Sequence, residues 1–109
     1  MVKSSAGVLD RTFAALADPT RRGIVATLAT GSRTVGAIAA PLPMSLVAVS
    51  KHIGVLERAG LVTRTRVGRT QVCRLRPDAL GEAARWLDAY REFWTVQIDS
   101  LEHHLREQP

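Results

Sequence analysis

Residues Met44 to Val62 read MSLVAVSKHIGVLERAGLV. Ser45 precedes an apolar pattern at helical spacing and Gly60 closes it. The stretch therefore predicts a helix from Leu46 to Ala59, with serine as N-cap and glycine as stop. At about 100° per residue, Val49, Ile53 and Leu56 share one narrow stripe, with Leu46 at its flank. The opposite arc holds Val47, Ser50, Lys51 and Gly54. These are small or singly charged residues, and no acid occurs before Glu57. An ordinary solvated face mixes Glu with Lys; this one is shaped for close approach by a partner.

The preceding segments build toward that helix. Val8 or Leu9, Phe13 and Leu16 recur at helical spacing, predicting a first helix from about Val8 to Ala17. In ADPTRRGIVATLATG, Asp18 is an N-cap acceptor and Pro19 suits the first helical position, where no amide bond is lost. Ile24, Val25 and Leu28 make its buried stripe and Gly31 ends it. Arg21 and Arg22 sit in the first turn, open to two readings: a solvated face or a phosphate contact. Thr34 caps a short third helix, with Val35, Ile38 and Ala39 inward and Pro41 and Pro43 stopping it. Two short helices joined by a tight turn have helix-turn-helix spacing.

Downstream, LVTRTRV and TQVCRLR flank a Gly-containing turn, a β-hairpin signal over 62–75. The segment Arg58 to Pro77 has six arginines and no acid. Arg64, Arg66 and Arg69 lie near the predicted tip, where they discourage strand-edge aggregation and suit anion contact. The segment 77–107, opened by Pro77, then predicts a long amphipathic helix. It carries seven acids against three arginines, whereas residues 1–77 carry twelve Lys or Arg against three acids. A basic body with an acidic tail implies that the body meets a polyanion. Small side chains, a serine hydroxyl and one cation on the fourth helix suit the edges of bases in a major groove, where valine can touch a thymine methyl.

The last helix carries Leu80, Ala84, Leu87, Tyr90, Trp94, Ile98, Leu101 and Leu105 on one stripe, widened by Trp86 and Phe93. About 30 helical residues span about 45 Å, more than the diameter of so small a domain. A second copy of the chain is the expected cover. The alternative is a helix folded back on its own core, broken near Thr95.

The blocks FAALADPTRRGIVATLA, MSLVAVSKHIGVLERAGLV and RVGRTQVCRL, in this order and spacing, resemble the ArsR/SmtB family of bacterial winged-helix repressors. The resemblance covers nearly the whole chain. It implies a mainly α winged helix-turn-helix domain with a β-hairpin, a homodimer joined through its first and last helices, and a repressor of a palindromic operator. A single domain over 1–109 divides into a DNA-binding core, 8–76, and a long C-terminal dimerisation helix, 77–107. The recognition helix is 45–59 and the wing 62–75. The residues expected on double-stranded DNA are Ser45, Val47, Ser50, Lys51, His52, Gly54, Arg64, Arg66 and Arg69. His52 lies at the edge of the core stripe and has a second reading, as a packed structural histidine. The expected dimer interface is Phe13, Leu16, Trp86, Leu87, Tyr90, Phe93, Trp94, Ile98 and Leu101.

The family's metal sites do not map cleanly. TVGAIAAPL lacks the cysteine pair found near the third helix, and Asp88 is followed at the second position by Tyr90 rather than histidine. Only Asp99, His103, His104 and Glu107 offer helical metal-ligand spacing, making a metal-responsive sensor the lesser reading. No cofactor is expected. A small-molecule or metal effector stays open; the aromatics around Trp86 and Trp94 can line an apolar pocket or form dimer core. The single cysteine, Cys73, reads as a small apolar strand residue. No stretch has the length of a membrane span or the make-up of a signal peptide, so the expected setting is cytoplasmic. No nucleophile turn or phosphate loop points to an enzyme. A protein-interaction module is the competing class, but it needs no acid-free arginine segment.

Overall fold

A computed structural model describes residues 2–107, with the side chains of residues 2–6 left undescribed. Met1, Gln108 and Pro109 of the expected 1–109 domain lie outside that range. The chain runs α1 (Val2–Leu16), α2 (Pro19–Leu28), β1 (Arg33–Thr34), α3 (Val35–Ala39), α4 (Leu46–Arg58), β2 (Val62–Val67), β3 (Thr70–Leu75), α5 (Pro77–Asp88) and α6 (Arg91–Glu107).

The helix starts follow side-chain chemistry. Asp18, Thr34 and Ser45 all have extended backbone, and each accepts an amide from the third residue on, at 3.0 to 3.1 Å. Each bond satisfies one otherwise orphaned N–H of a first turn. The end of α4 is equally specified. Gly60 takes φ 76°, its amide donates to Glu57 O, and that of Leu61 donates to Leu56 O. This pair of bonds is a Schellman motif, and the next side chain, Leu61, is fully buried.

Val49, Ile53 and Leu56 of α4 are fully buried, with Ile24 and Leu28 of α2, Ile38 of α3, Leu61, and Cys73 of β3 around them. The sheet has the order β1-β3-β2, all antiparallel. Its two-residue first strand is too short for a period-2 signal and was not expected from sequence. Gly68 at φ 63° opens the two-residue turn between Val67 and Thr70. A positive φ there matches the right-handed twist of the flanking strands.

Two helical expectations need correction. α1 begins at Val2 rather than Val8, since nothing in KSSAG stops it. The single long C-terminal helix over 77–107 is two helices. The chain turns at Ala89 and Tyr90, where the Tyr90 amide donates to Leu87 O one residue short of the α pattern. The break falls before Thr95, in a stretch without proline or glycine to announce it. α5 buries Ala79 and Ala83 while Ala84 lies exposed. α6 buries nothing. The radius of gyration is 18.2 Å, against about 13 Å for a compact chain of this length.

Asp18 also yields a pH test. The Arg21 amide holds its carboxyl below the usual value, against a smaller upward push from desolvation. A carboxyl with a lowered folded pKa stabilises fully above its unfolded value, about 3.9. That contribution is lost as pH falls through the folded value. In urea unfolding, the stability gap between the natural protein and Asp18→Asn is expected to shrink on going from about pH 6 to about pH 3. A gap independent of pH would contradict this role.

Candidate nucleic-acid interface

The outer arc of α4 stands beside the hairpin. Val47 and Leu46 are 65% and 57% exposed, and Ser45 and Lys51 are exposed as well. A groove of about 450 Å³ runs between the start of α3 (Thr34, Val35, Gly36), the first turns of α4 and the outer end of the hairpin (Arg69, Thr70, Gln71). Neither α3 nor α4 has an acid in its first turn. The positive ends of both helix dipoles therefore meet at the groove without a carboxylate beside them. Arg66 and Arg69 lie exposed at the hairpin end, where Arg66 Nε donates to Gly68 O at 3.1 Å.

Several expected contact residues are engaged elsewhere. Arg64 folds inward. It donates to Glu57 Oε1 through Nη2 at 2.6 Å and Nε at 3.1 Å, and to Ser50 Oγ through Nη1 at 2.8 Å. Its side chain is only 16% exposed. The register explains this. Val62, Arg64 and Arg66 share one face of β2, and Arg64 stands opposite buried Cys73, so alternation points Arg64 at α4. Ser50 is thereby half-covered, and Gly54 is buried beneath Arg58 and Arg64. A β-carbon on Gly54 would lie 3.4 Å from Arg58 Nη1. Gly54 lets the guanidinium groups close over the helix rather than lying on its open face.

His52 is a packed residue. Arg21 Nη1 donates to its Nδ1 at 3.2 Å, and Asp18 Oδ2 lies 3.9 Å from the same atom. Arginine has only donors, so Nδ1 is the acceptor in this contact. Arg21 and Arg22 are likewise spent on the end of α1. Arg21 Nε donates to Ala15 O at 2.6 Å and Arg22 Nη1 to Leu16 O at 2.8 Å. Cations at a helix C-terminus satisfy orphan carbonyls and oppose the dipole favourably. Sequence reasoning missed Thr34, Gly36, Leu46 and Gln71 as groove walls. Leu46 carried a signal, lying off the centre of the core stripe; Gln71 carried none without the hairpin register.

A second surface is apolar. Phe13 meets Trp86 edge-on at 5.8 Å and Trp86 lies 5.2 Å from Tyr90. Leu87, Phe93, Trp94, Val96, Ile98, Leu101 and Leu105 continue it along α5 and α6, all about half exposed. Leu16 is half-buried against the core and stands apart from this face. Among the described residues, no three His, Cys, Asp or Glu side chains gather as a metal site. His103 Nε2 pairs with Glu107 Oε1 at 2.9 Å.

A family model described as a helix-turn-helix domain matches residues 16–65, which span α2 to the middle of β2. Over 86 residues the chain is 45% identical to the HTH-type transcriptional regulator Rv2034 of Mycobacterium tuberculosis, covering 79% of this chain and 78% of that protein. It is 34% identical to an ArsR family transcriptional regulator of known crystal structure, with TM-score 0.76 over 83% of this chain and 93% of that one. The chain belongs to the ArsR family. It is a winged helix-turn-helix, DNA-binding transcriptional regulator, with α3 and α4 as the helix-turn-helix and β2–β3 as the wing. Two further relatives extend the likeness. The transcriptional repressor SdpR of Bacillus subtilis is 30% identical over 72% of this chain and 88% of its own. A homodimeric winged helix-turn-helix domain of Mycobacterium bovis, described as a possible ArsR-family regulator, is 31% identical, with TM-score 0.63 over 98% of this chain and 91% of that one. No helix among the described residues is long and apolar enough to cross a membrane.

The Arg64 clamp and the buried thiol share one test. Burial, the largest influence, pushes the Cys73 thiol up, and the nearby Arg64 only partly offsets this. Arg64→Ala leaves Glu57 and Ser50 without their donor and is expected to cost about 2 kcal/mol in urea unfolding. Cys73 should react with a thiol reagent only at the unfolding rate in the natural protein, and faster in Arg64→Ala. Rapid labelling of the natural protein would contradict its burial.

Proposed function

We propose that the chain works as a homodimeric repressor. Each α4 enters a major groove and each wing tip rests on flanking phosphate, on an imperfect palindrome. The observation that carries this is the open Val47–Lys51 face of α4, walled by two acid-free helix starts and the wing arginines. Val47 supplies an apolar contact for a thymine methyl, and Ser45 and Gln71 supply hydrogen-bonding groups. Lys51, Arg66 and Arg69 supply phosphate or guanine contacts. Arg64 and His52 leave the contact set: both orient elements by bonds within the chain.

The dimer follows from surface chemistry. An apolar face spread over α1, α5 and α6 has no cover among the described residues, and contiguous patches of that kind mark interfaces. A two-fold pairing through it presents two copies of α4 to one side of a duplex, which matches a palindrome. The homodimeric mycobacterial relative supports this arrangement, and repression is supported by the relative SdpR. A dimer seated over a promoter excludes other proteins from the same DNA. The role is one of binding rather than catalysis.

The salt dependence of operator affinity tests the contact set. Lys51→Ala and Arg69→Ala are each expected to lower the slope of log affinity against log salt by about 1. Arg64→Ala is expected to leave that slope unchanged, because Glu57 neutralises its charge. A reduced slope in Arg64→Ala alone would reverse the assignment. Sedimentation equilibrium tests the dimer. Ile98→Glu/Leu101→Glu should be monomeric and lose at least about tenfold in operator affinity, since each half-site then binds alone.

A further inference from the structure

We propose that a cleft at the far end of α4 binds a small anionic metabolite bearing phosphate or carboxylate groups together with hydroxyls. The cleft, about 610 Å³, lies where α1, the end of α4 and the start of α5 meet. That volume suits a small ligand. Arg11, Arg58, Arg76 and Arg85 line it, against two carboxylates, Asp78 and Glu82. Arg76 Nη2 lies 3.5 Å from Asp78 Oδ2 in an exposed pair. Arg11, Arg58 and Arg85 have no hydrogen-bond or ion-pair partner among the described residues, unlike Arg21, Arg22 and Arg64, which are all spent internally.

The three free guanidinium groups are placed by a repeated device. Each has a glycine four residues earlier: Gly7, Gly54 and Gly81. A β-carbon there would lie 3.3 Å from Arg11 Nη1, 3.4 Å from Arg58 Nη1 and 3.4 Å from Arg85 Nη1 respectively. Each guanidinium therefore lies back along its own helix, and all three side chains stay exposed to an incoming ligand. Four guanidinium groups against two carboxylates leave the cleft net positive, and a bound anion takes up the unused N–H donors. Glu82 adds the second requirement. Its Oε2 is buried and has no hydrogen-bond partner among the described residues. Such an acceptor needs a donor; Glu82 lines the cleft, and a turn of its side chain toward a ligand hydroxyl supplies one.

The cleft is distinct from the DNA groove. It touches the C-terminal end of α4, about 20 Å of helix away from Ser45. Its walls include α1 and α5, which also carry the apolar face. An occupant can thus bias how the α4 helices of two subunits are spaced. That regulatory consequence rests on the proposed operator reading; binding of the anion does not.

Thermal unfolding at constant ionic strength tests it, with sodium chloride as reference and inorganic phosphate, citrate, glucose 6-phosphate and glucose as probes. Phosphate or citrate is expected to raise Tm, glucose is not, and glucose 6-phosphate should exceed inorganic phosphate. Near 100 times the dissociation constant, the rise should be roughly 10 °C. Arg58→Gln/Arg85→Gln should lose the rise while keeping its circular dichroism; Arg11→Gln, at a separate wall, should weaken it if the double variant unfolds. Lys51→Ala/Arg69→Ala should keep it. No rise beyond sodium chloride, a rise retained in the cleft variants, or one lost in Lys51→Ala/Arg69→Ala would overturn the site. A rise for inorganic phosphate equal to that for glucose 6-phosphate would overturn the hydroxyl requirement. An operator salt slope reduced in Arg58→Gln/Arg85→Gln would make the cleft a DNA contact instead.

Discussion

The buried seam of Val49, Ile53 and Leu56 is the constraint from which the rest of the molecule follows. These side chains are fully enclosed, and together they represent several kcal/mol of burial at about 2 kcal/mol each. A helix pinned along one stripe cannot spin about its own axis. Val47 and Lys51 face outward because the seam faces inward. Ser45 at one end and the Gly60–Leu61 turn at the other then set where α4 starts and stops. The direction in which the hairpin leaves is fixed by the same turn, since buried Leu61 accepts the Arg76 amide through its carbonyl.

Charge is sorted by whether it is consumed within the chain. Arg21 and Arg22 close the end of α1, and Arg64 ties the hairpin to α4 through Glu57 and Ser50. These three raise the net positive charge counted in the sequence without adding to the field at the DNA face in proportion. Lys51, Arg66 and Arg69 remain at the open face. The Arg64 pair differs from an exposed ion pair: its 16% exposure and three donors make it a geometric tie between reading helix and wing. A tie of this kind holds two DNA-facing elements in one relative orientation, which lowers the ordering cost of binding.

The parts of the fold written in local chemistry were legible. Asp18, Thr34, Ser45, Gly31, Gly60 and Gly68 mark boundaries through caps and positive φ, and the α4 stripe follows from periodicity. Three features were not. The turn at Ala89–Tyr90 has no Pro or Gly. β1 is two residues long and exists only because Arg33 and Thr34 meet Cys73 and Val72. The inward fate of Arg64 depends on hairpin register, although alternation from buried Val62 already placed it on the inner face. Counting arginines near a hairpin tip overstated the contact set because spacing from the tip and face of the strand are separate questions. His52 illustrates the same point on a helix: its edge position allowed two readings, and only the approach of Arg21 and Asp18 from another helix separates them.

α4 has chemistry at both ends, and its length makes that arrangement consequential. Thirteen residues of uninterrupted helix behave as a rigid rod on the scale of this domain. Its N-terminal end lies in a groove lined by helix starts and wing, its C-terminal end in a cleft of unpaired guanidinium groups. The core packs on the middle of the rod, so a small change in seating at one end appears at the other as a tilt that pivots on the Val49–Ile53–Leu56 seam. In a two-fold dimer such a tilt acts twice, once in each subunit, on the distance between the two DNA-facing ends. Affinity for a palindrome depends steeply on that distance because both half-sites must be engaged at once. With the proposed anion in the cleft, regulation would need no unfolding and no new DNA contact, only a different tilt of one well-packed helix.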